Sequence, residues 1–317
     1  MKNEEADALL DEAVAIDPEP LRRLTRDIRN AAKTLTDAQA RFLVDSYYVM
    51  QRDRIRAAHQ TRTLQQTEPV PEPHEVVDWL SAQTATLETS IKSVLQVYAR
   101  HHPVGNWALS IVGIGPVIAA GLLAHINLEP WRCKNPKRPL KVKCFEGQPC
   151  TPQCGTEISH TVGHIWRFAG LDPTVKWEKG QRRPWNGQLK RLCWLIGESF
   201  TKNQNRDGDF YGKFYVSRKA IEEAKNSQKL FADQAKVSLE QKRWARETAT
   251  RGYYEQGLLP PARIHLRAQR YAVKLFLSHY HHVAYYHRYQ KHPPRPYVIE
   301  HLGHTDLIQV PNWPFTP

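Results

Sequence analysis

Apolar residues in the first hundred positions recur at spacings of three and four, and this part of the chain contains no glycine. Such spacing places an apolar stripe along one side of a helix, so the segment predicts amphipathic α-helices. One stripe occupies residues 21–35. Thr36 and Asp37 are suitable caps for a second helix, and a third stripe occupies residues 77–100.

The proline-rich segment Thr67–Pro73 separates the second predicted helix from the third stripe. Proline lacks the amide donor that a helix interior needs, and its ring clashes with the preceding turn. Two long helices joined by such an elbow predict an antiparallel, coiled-coil-like helical hairpin over residues 1–104. A hairpin of this kind acts as a dimerisation arm or packs on its own chain, and both alternatives stay open.

Residues 105–292 predict a second, helical domain with an inserted cysteine-rich loop at 131–160. Within this domain a charged helical stretch ends at a glycine- and proline-containing break, residues 257–261. Residues 263–289 then predict a basic helix rich in aromatic side chains, and residues 293–317 predict an extended, proline-rich tail. The expected fold class is therefore mainly α.

The 317-residue chain carries a formal net charge of +13 at pH 7. This excess of lysine and arginine favours a polyanionic partner, because each cation that binds a phosphate releases a counterion. The charge is not uniform, since the first 20 residues are strongly acidic. They indicate a solvated or regulatory tail rather than a ligand surface.

No apolar stretch reaches the roughly 18 to 20 residues that a membrane span requires. The start of the sequence also lacks the basic and apolar pattern of a secretory signal. We therefore expect a cytoplasmic protein without a membrane partner, and with an odd number of cysteines a disulfide framework is not expected.

Four of the five cysteines fall within the inserted loop. Four thiolates bind Zn²⁺ tetrahedrally, and this loop has few apolar side chains around which to fold. The spacing differs from that of a standard zinc finger, so structural zinc, free thiols and another metal are alternatives, and His160 or His164 could replace one cysteine. Cys193 lies in an apolar stretch and is expected in the core. The candidate zinc ligands are Cys133, Cys144, Cys150 and Cys154.

Gly113 and Gly115, followed by alanines at 119 and 120, match a helix-hairpin-helix turn. In that turn, glycine lets backbone amides approach a phosphate at a helix N-terminus. A tight turn between two closely packed helices is the alternative without a ligand.

Residues 163–192 include a basic loop that contains two tryptophans and leads to a helix that begins near Gly187. Tryptophan faces stack on unpaired bases or on guanidinium groups, and the cations can bind phosphates. A solvated loop anchored to the core by its tryptophans is the alternative. Adding the glycine turn, the inserted loop and the last basic helix, we assign these candidate nucleic-acid contacts: Gly113, Gly115, Lys137, Arg138, Lys141, Lys176, Trp177, Lys179, Arg182, Arg183, Trp185, Lys190, Arg191, Arg267, Arg270 and Lys274.

Histidine and tyrosine are dense in residues 278–292. A metal-dependent nuclease site needs carboxylates beside the histidines, and the nearby acids are Glu300 and Asp306. We therefore favour stacking and phosphate contacts by these rings, with packing of the tyrosine face in the core as the alternative.

Three strings give the chain a family resemblance: Gly-Ile-Gly-Pro at 113–116, Arg-Phe-Ala-Gly-Leu-Asp-Pro at 167–173 and Asn-Gly-Gln-Leu-Lys-Arg-Leu at 186–192. In this order they resemble the C-terminal domain of the insertion-sequence transposases that a bridge RNA guides. That domain is in turn similar to the Nop domain of box C/D guide-RNA proteins. The resemblance covers roughly residues 105–200 and extends more loosely to about residue 290.

Two departures from those transposases bear on chemistry. Their nuclease-like N-terminal domain carries an aspartate on a strand, whereas this N-terminal region predicts helices. Their nucleophilic serine follows the Gly-Leu-x-Pro string, whereas residues 174–180 contain no serine and Thr174 lies too near the proline to replace it. Covalent strand transfer requires an activated hydroxyl, so we expect no catalytic residue and no cutting or rejoining.

A helical hairpin followed by a Nop-like domain without a nuclease resembles the nuclease-free Tas proteins of TIGR systems. The resemblance implies a small structured guide RNA, a DNA target bound without cleavage, and a homodimer. By this analogy base pairing selects the sequence, and the protein recognises backbone and shape. A transposase of the bridge-RNA type and a DNA-binding accessory protein stay open as alternatives.

Overall fold

The computed structural model describes residues 24–67, 75–128, 160–241, 244, 248–294 and 307–314, and the backbone of two short strands. The described residues contain eleven α-helices, which confirms the prediction of a mainly helical fold. The elements follow in this order: α1 (Arg26–Asn30), a 3-10 turn (Ala31–Thr34), α2 (Asp37–Thr67), α3 (Glu75–His101), α4 (Pro103–Leu109), α5 (Pro116–His125), β1 (Trp131–Cys133), β2 (Gly155–Glu157), α6 (Val162–Phe168), α7 (Gly187–Lys202), α8 (Tyr211–Ser227), α9 (Ala232–Glu240), α10 (Ala249–Glu255) and α11 (Pro261–Tyr289).

Helix α2 begins where the sequence predicts, directly after Thr36. The Thr36 hydroxyl accepts a hydrogen bond from the Gln39 amide at 3.3 Å, and the Gln39 side chain accepts from the Thr36 amide at 2.9 Å. This reciprocal pair satisfies two amides that the helix itself cannot bond. The cap fixes the start of the 31-residue helix.

Helices α2 and α3 pack against each other in antiparallel orientation. The Tyr98 hydroxyl at the end of α3 donates to Asp37 at the start of α2 at 3.3 Å. Further along, the Arg54 guanidinium bonds the buried Glu88 carboxylate at 2.5 Å. The hydrogen bond from Arg54 lowers the pKa of Glu88, so the carboxylate is ionised at neutral pH.

One buried cluster joins the base of these two helices to α4, α5, α7 and α11. Helix α5 lies inside it with apolar residues on all sides, as expected of a helix without a polar face. The largest fully buried members include Trp107, Leu122, Leu189, Ile196 and Phe276. The predicted boundary between residues 104 and 105 therefore lies within a continuous core.

Helices α8, α9 and α10 occupy the charged stretch that precedes α11. A turn that includes Lys229 with a positive φ of 55° separates α8 from α9. A second buried cluster forms where these helices meet the start of α11. Its members are Phe231, Ala235, Tyr254, Leu259 and Ile264.

The described part of the predicted tail, residues 307–314, lies against α4 and α11. The Trp107 indole donates to the Pro311 carbonyl at 2.9 Å, and the Asn312 side-chain Nδ2 donates to the Ser110 carbonyl at 3.1 Å. This segment is therefore held by the indole of the core residue Trp107 and by the Ser110 carbonyl directly after α4.

Strands β1 and β2 pair antiparallel and bring the two ends of the inserted loop together, with Cys133 opposite Gly155. The remainder of that loop lies outside the described residues. Among the described helices, none combines the length and the hydropathy that crossing a membrane requires.

Candidate nucleic-acid interface

A loop connects α6 to α7, and both of its ends are fixed. Gly170 follows α6 with a positive φ of 68°, a conformation that glycine adopts readily. A Cβ atom there would lie 2.9 Å from atoms of both Trp185 and Lys190. At the other end, the Asn186 amide donates to the Phe168 carbonyl at 2.9 Å. The loop therefore returns to the end of α6 just before α7 begins.

Two tryptophans and two cations of this region form a continuous series, here called the tryptophan ladder: Arg183, Trp177, Trp185 and Lys190. The Arg183 guanidinium lies 5.5 Å from the centre of the Trp177 ring. The two indole rings meet edge to face with centroids 6.4 Å apart, and Lys190 Nζ lies 3.9 Å from the centre of the Trp185 ring. Each such cation–π contact contributes about 0.5–1 kcal/mol at an exposed site. One cation of the chain thus lies over each of the two indole rings.

Helix α7 begins at the predicted position because Asn186 caps it. The Asn186 side-chain oxygen accepts from the Leu189 amide at 2.9 Å. Leu189 is fully buried, whereas Lys190 and Arg191 are exposed. The Arg191 guanidinium lies 4.8 Å from the centre of the Tyr48 ring of α2. Burial raises the pKa of Tyr48 to about 12, so its hydroxyl stays protonated at neutral pH.

Two cations of α11 complete this surface. Lys274 is half-buried, and its ammonium lies 5.0 Å from the centre of the Trp166 ring. The Trp166 indole donates to the Lys274 carbonyl at 3.1 Å. Lys190 is exposed but partly desolvated, and this desolvation lowers its pKa; the charges of Arg183 and Arg270 lower it further. Burial and the charge of Arg270 also lower the pKa of Lys274.

These mutual effects define one group of neighbouring charges, here called the cationic cluster: Arg183, Lys190, Arg270 and Lys274. Among the described residues, no carboxylate forms an ion pair with any of the four. Asp172 is close enough to raise the pKa of Lys274, but its carboxylate accepts from the Thr174 amide and hydroxyl at 2.9 and 2.7 Å. Cations that repel one another and have no paired acid are stabilised when a polyanion binds, because its phosphates reduce this repulsion.

The remaining predicted lysine and arginine contacts divide into three groups. The loop cations Lys176, Lys179 and Arg182 are exposed and extend the positive surface beyond the ladder. The cations of the inserted loop lie outside the described residues: Lys137, Arg138 and Lys141. The third group is Arg267 alone.

Arg267 already has a protein partner. Its guanidinium bonds the buried Glu222 carboxylate at 2.7 Å and lies 4.5 Å from the centre of the Phe231 ring. Arg218 bonds the same carboxylate at 2.6 Å. Burial raises the pKa of Glu222, but the two arginines lower it more, so the net shift is downward. Arg267 therefore joins α11 to α8, and a phosphate would have to compete with this pair.

The two glycines of the predicted phosphate turn have different surroundings. Gly113 has a positive φ of 94°, and its carbonyl accepts from the Ser199 hydroxyl of α7 at 2.6 Å. Gly115 immediately precedes α5, and a Cβ atom there would meet nothing within 4 Å. Close packing thus accounts for Gly113, whereas the backbone at Gly115 lies next to open space.

Two histidines of the histidine- and tyrosine-rich part of α11 lie in the core. His279 lies between the Tyr211 hydroxyl at 2.8 Å and the Ile308 carbonyl at 3.0 Å. His281 donates from Nε2 to the His160 carbonyl at 2.7 Å. Burial lowers the pKa of both imidazoles to about 4, so both are neutral at pH 7. Both imidazoles are therefore packed in the core. The alternative interpretation of this segment concerns its tyrosine face, of which Tyr280 is buried.

The described part of the chain contains no group of three or more histidine, cysteine, aspartate or glutamate side chains that could hold a metal ion. Cys144, Cys150 and Cys154 lie outside that part, and Cys133 is described by its backbone alone, so the zinc site stays a prediction. Cys193 is buried in α7, as predicted, and burial raises its pKa to about 12.

Two aromatic side chains beside the interface were not predicted from the sequence. Trp166 and Lys274 are 108 residues apart in the chain, and Tyr48 lies in a different helix from Arg191. No local spacing indicates either contact, because each depends on how distant helices pack.

Cation–aromatic surfaces of this kind occur in proteins with unrelated folds, so the surface alone does not assign a family. Similarity to a characterised protein would be an independent guide to its role. No protein-family model, no curated protein and no solved structure gives a significant match to this chain.

Proposed function

We propose that this protein binds a small structured guide RNA, and that the complex binds a DNA target selected by base pairing. The observation that best supports RNA binding is that the cationic cluster and the tryptophan ladder overlap, because they share Arg183 and Lys190. Phosphates bind cations with release of counterions, and unpaired bases stack on aromatic faces. A folded RNA with single-stranded parts offers both kinds of contact.

The tryptophan ladder suggests how the surface would accept RNA. Arg183 lies over the Trp177 ring, and Lys190 lies over the Trp185 ring. Phosphates would attract these cations and leave the rings for bases. Losing one cation–π contact costs about 0.5–1 kcal/mol, whereas stacking a base on an aromatic ring contributes about 1–3 kcal/mol. The exchange is therefore favourable.

The guided, DNA-binding part of the proposal rests on the resemblance to the Nop-like domains and the nuclease-free Tas proteins. We further propose that the complex does not cut its target, since the loop after Pro173 lacks the serine found in the recombinases that the chain resembles. If Thr174 were a nucleophile, Asp172 would be its base, because the two side chains are 2.7 Å apart. A Thr174→Val variant is therefore the control for any guide-dependent cleavage in the presence of Mg²⁺ or Mn²⁺.

A homodimer is the third part of the proposal. The first turns of α3 expose large apolar side chains, with Val76, Trp79 and Leu80 between 57 and 62% exposed. Contiguous exposed apolar surface is typical of protein–protein contacts. Light scattering should give twice the chain mass, and Trp79→Lys should reduce it to one chain. A single-chain mass for the unchanged protein would contradict the dimer.

The first experiment purifies the protein from its native host and sequences the nucleic acid that accompanies it. The proposal predicts an enriched class of short RNAs. A preparation that contains DNA but no enriched RNA would instead favour a DNA-binding accessory protein.

The second experiment measures affinity for the enriched RNA against salt concentration. Lys190→Gln and Arg270→Gln should each weaken binding and reduce the slope of log affinity against log salt by about 1. Lys219→Gln and Arg251→Gln are matched controls, because each cation pairs with a glutamate of its own helix. Equal effects in all four variants would show that the cationic cluster has no special role.

A further inference from the structure

A cavity of about 340 Å³ lies where the base of α2 and α3 meets α5 and the end of α11. It shares no residue with the cationic cluster or the tryptophan ladder. Its volume lies near the lower end of the range for small-molecule pockets. The walls combine apolar side chains of α4, α5, α11 and the segment after α5 with a compact set of polar groups, and these groups indicate the ligand.

One side of the cavity presents an acid and two tyrosines. The Tyr98 hydroxyl donates to Asp37 at 3.3 Å. A carboxylate offers about four lone-pair positions, so Asp37 can accept further hydrogen bonds. Tyr98 and Tyr280 are buried, and after burial the charge of Asp37 contributes to the raised pKa of both. Their hydroxyls therefore stay protonated beside the carboxylate.

Apart from the Asn127 carboxamide, the other polar side chains of the cavity are nitrogen donors. The rings of His102 and His287 have centroids 5.6 Å apart, and Arg288 of α11 also lines the cavity. Burial, and next the neighbouring His287, lower the pKa of His102. An imidazole N–H and a guanidinium are suitable donors to a phosphate. The positive charge of Arg288 would also repel a purely cationic ligand.

We propose that this cavity binds a single 5′-nucleotide, with the base against Tyr98 and Tyr280 and the phosphate beside His102, His287 and Arg288. Guanine suits the acid best, because one edge of guanine carries two neighbouring N–H donors for the Asp37 carboxylate. The nucleotide is either free in solution or the 5′-phosphorylated end of the bound RNA. The second source rests on the proposed function, whereas the first does not.

The position of the cavity is compatible with the second source. On α11, Lys274 of the cationic cluster and His287 of the cavity are separated by about 20 Å along the helix axis. A short single-stranded segment can span this distance. An RNA held on the cationic cluster could therefore place its end in the cavity.

The first test measures binding of GMP and of UMP to the purified chain by calorimetry. GMP should bind at least about tenfold more tightly than UMP, which lacks an amino donor. Asp37→Asn and Arg288→Gln should each weaken GMP binding about tenfold or more. Asp53→Asn and Arg251→Gln, which change exposed ion pairs on α2 and α10, should leave it unchanged. Melting temperatures show whether each variant is folded.

The second test compares the same RNA with a 5′-phosphate and with a 5′-hydroxyl. If the strand end is the ligand, the phosphate tightens binding about tenfold or more, and Arg288→Gln removes the difference. If GMP binds and the two RNAs bind equally, the ligand is a free nucleotide. The proposal is overturned if GMP does not bind and the 5′-phosphate has no effect. That result would leave RNA binding by the cationic cluster untouched, because Lys190→Gln reports on the cluster separately.

Discussion

Lowering the pH from 7.5 to 5 should destabilise this protein through two buried histidines. His279 and His281 are 4% and 2% exposed, and burial lowers the pKa of each from 6.5 to about 4. At pH 5 both imidazoles are therefore neutral in the folded protein but protonated in the unfolded chain. Because the unfolded state binds more protons in this window, the free energy of unfolding falls as the pH falls.

The magnitude follows from the two pKa values. At pH 5, a histidine with a pKa of 6.5 unfolded and about 4 folded lowers the free energy of unfolding by about 2 kcal/mol. The two imidazoles together give about 4 kcal/mol, a large part of the 5–15 kcal/mol that is typical of folded domains. The loss begins near pH 6.5 and is complete once the pH is below about 4.

His279→Gln isolates one of these contributions. At pH 7.5 the variant should lose roughly 1–3 kcal/mol, because the Tyr211 hydroxyl or the Ile308 carbonyl is left without its partner. Between pH 7.5 and pH 5, however, its free energy of unfolding should fall about 2 kcal/mol less than that of the unchanged protein. Urea unfolding at a series of pH values measures both effects.

The matched control is His59→Gln, since His59 is exposed on α2. This variant should keep the pH dependence of the unchanged protein. If His279→Gln lost as much stability between pH 7.5 and pH 5 as the unchanged protein, the burial argument would be wrong.

Three further predictions concern the glycine turn, the ion pair between α2 and α3, and the inserted loop. Gly113→Ala should cost about 1–2 kcal/mol because of its positive φ, whereas Gly115→Ala should leave stability unchanged; weaker RNA binding by Gly115→Ala alone would indicate phosphate contact there. Glu88→Gln should cost roughly 1 kcal/mol in urea unfolding, and this difference should disappear as the pH falls through the lowered pKa of Glu88, since only the ionised carboxylate binds Arg54 strongly. Elemental analysis should find about one zinc per chain, and less zinc in the Cys150→Ser variant. If protein that was prepared without chelators contains no zinc, the predicted zinc site is wrong.

The helices could be predicted from the sequence where local chemistry determines them. Thr36 caps α2 through its own side chain, Asn186 caps α7 in the same way, and the glycine- and proline-containing break ends just where α11 begins. The break between α8 and α9 was not predicted from the sequence, because the residue with the positive φ at this turn is Lys229 and not a glycine. Hydrophobic stripes cannot reveal such a turn.

The candidate site was predictable only in part. The sequence indicates which loop holds Trp177 and Trp185 beside cations, since these residues are close in the chain. It does not indicate that Lys274 and Arg270 come from α11 to join Lys190, which is a consequence of helix packing. Nor does the pattern reveal the cavity, whose walls come from distant parts of the chain.

The uneven burial along α2 and α3 has a consequence for motion. Side chains of α2 such as Val44 and Tyr47 lie in the core, but among the described side chains of residues 48–66 and 75–87 none is buried. Segments with few buried contacts open without unfolding of the whole protein. Backbone amides in the outer half of this helix pair should therefore exchange with solvent hydrogen much faster than those near Leu95, and a partner bound there would be detected as slowed exchange.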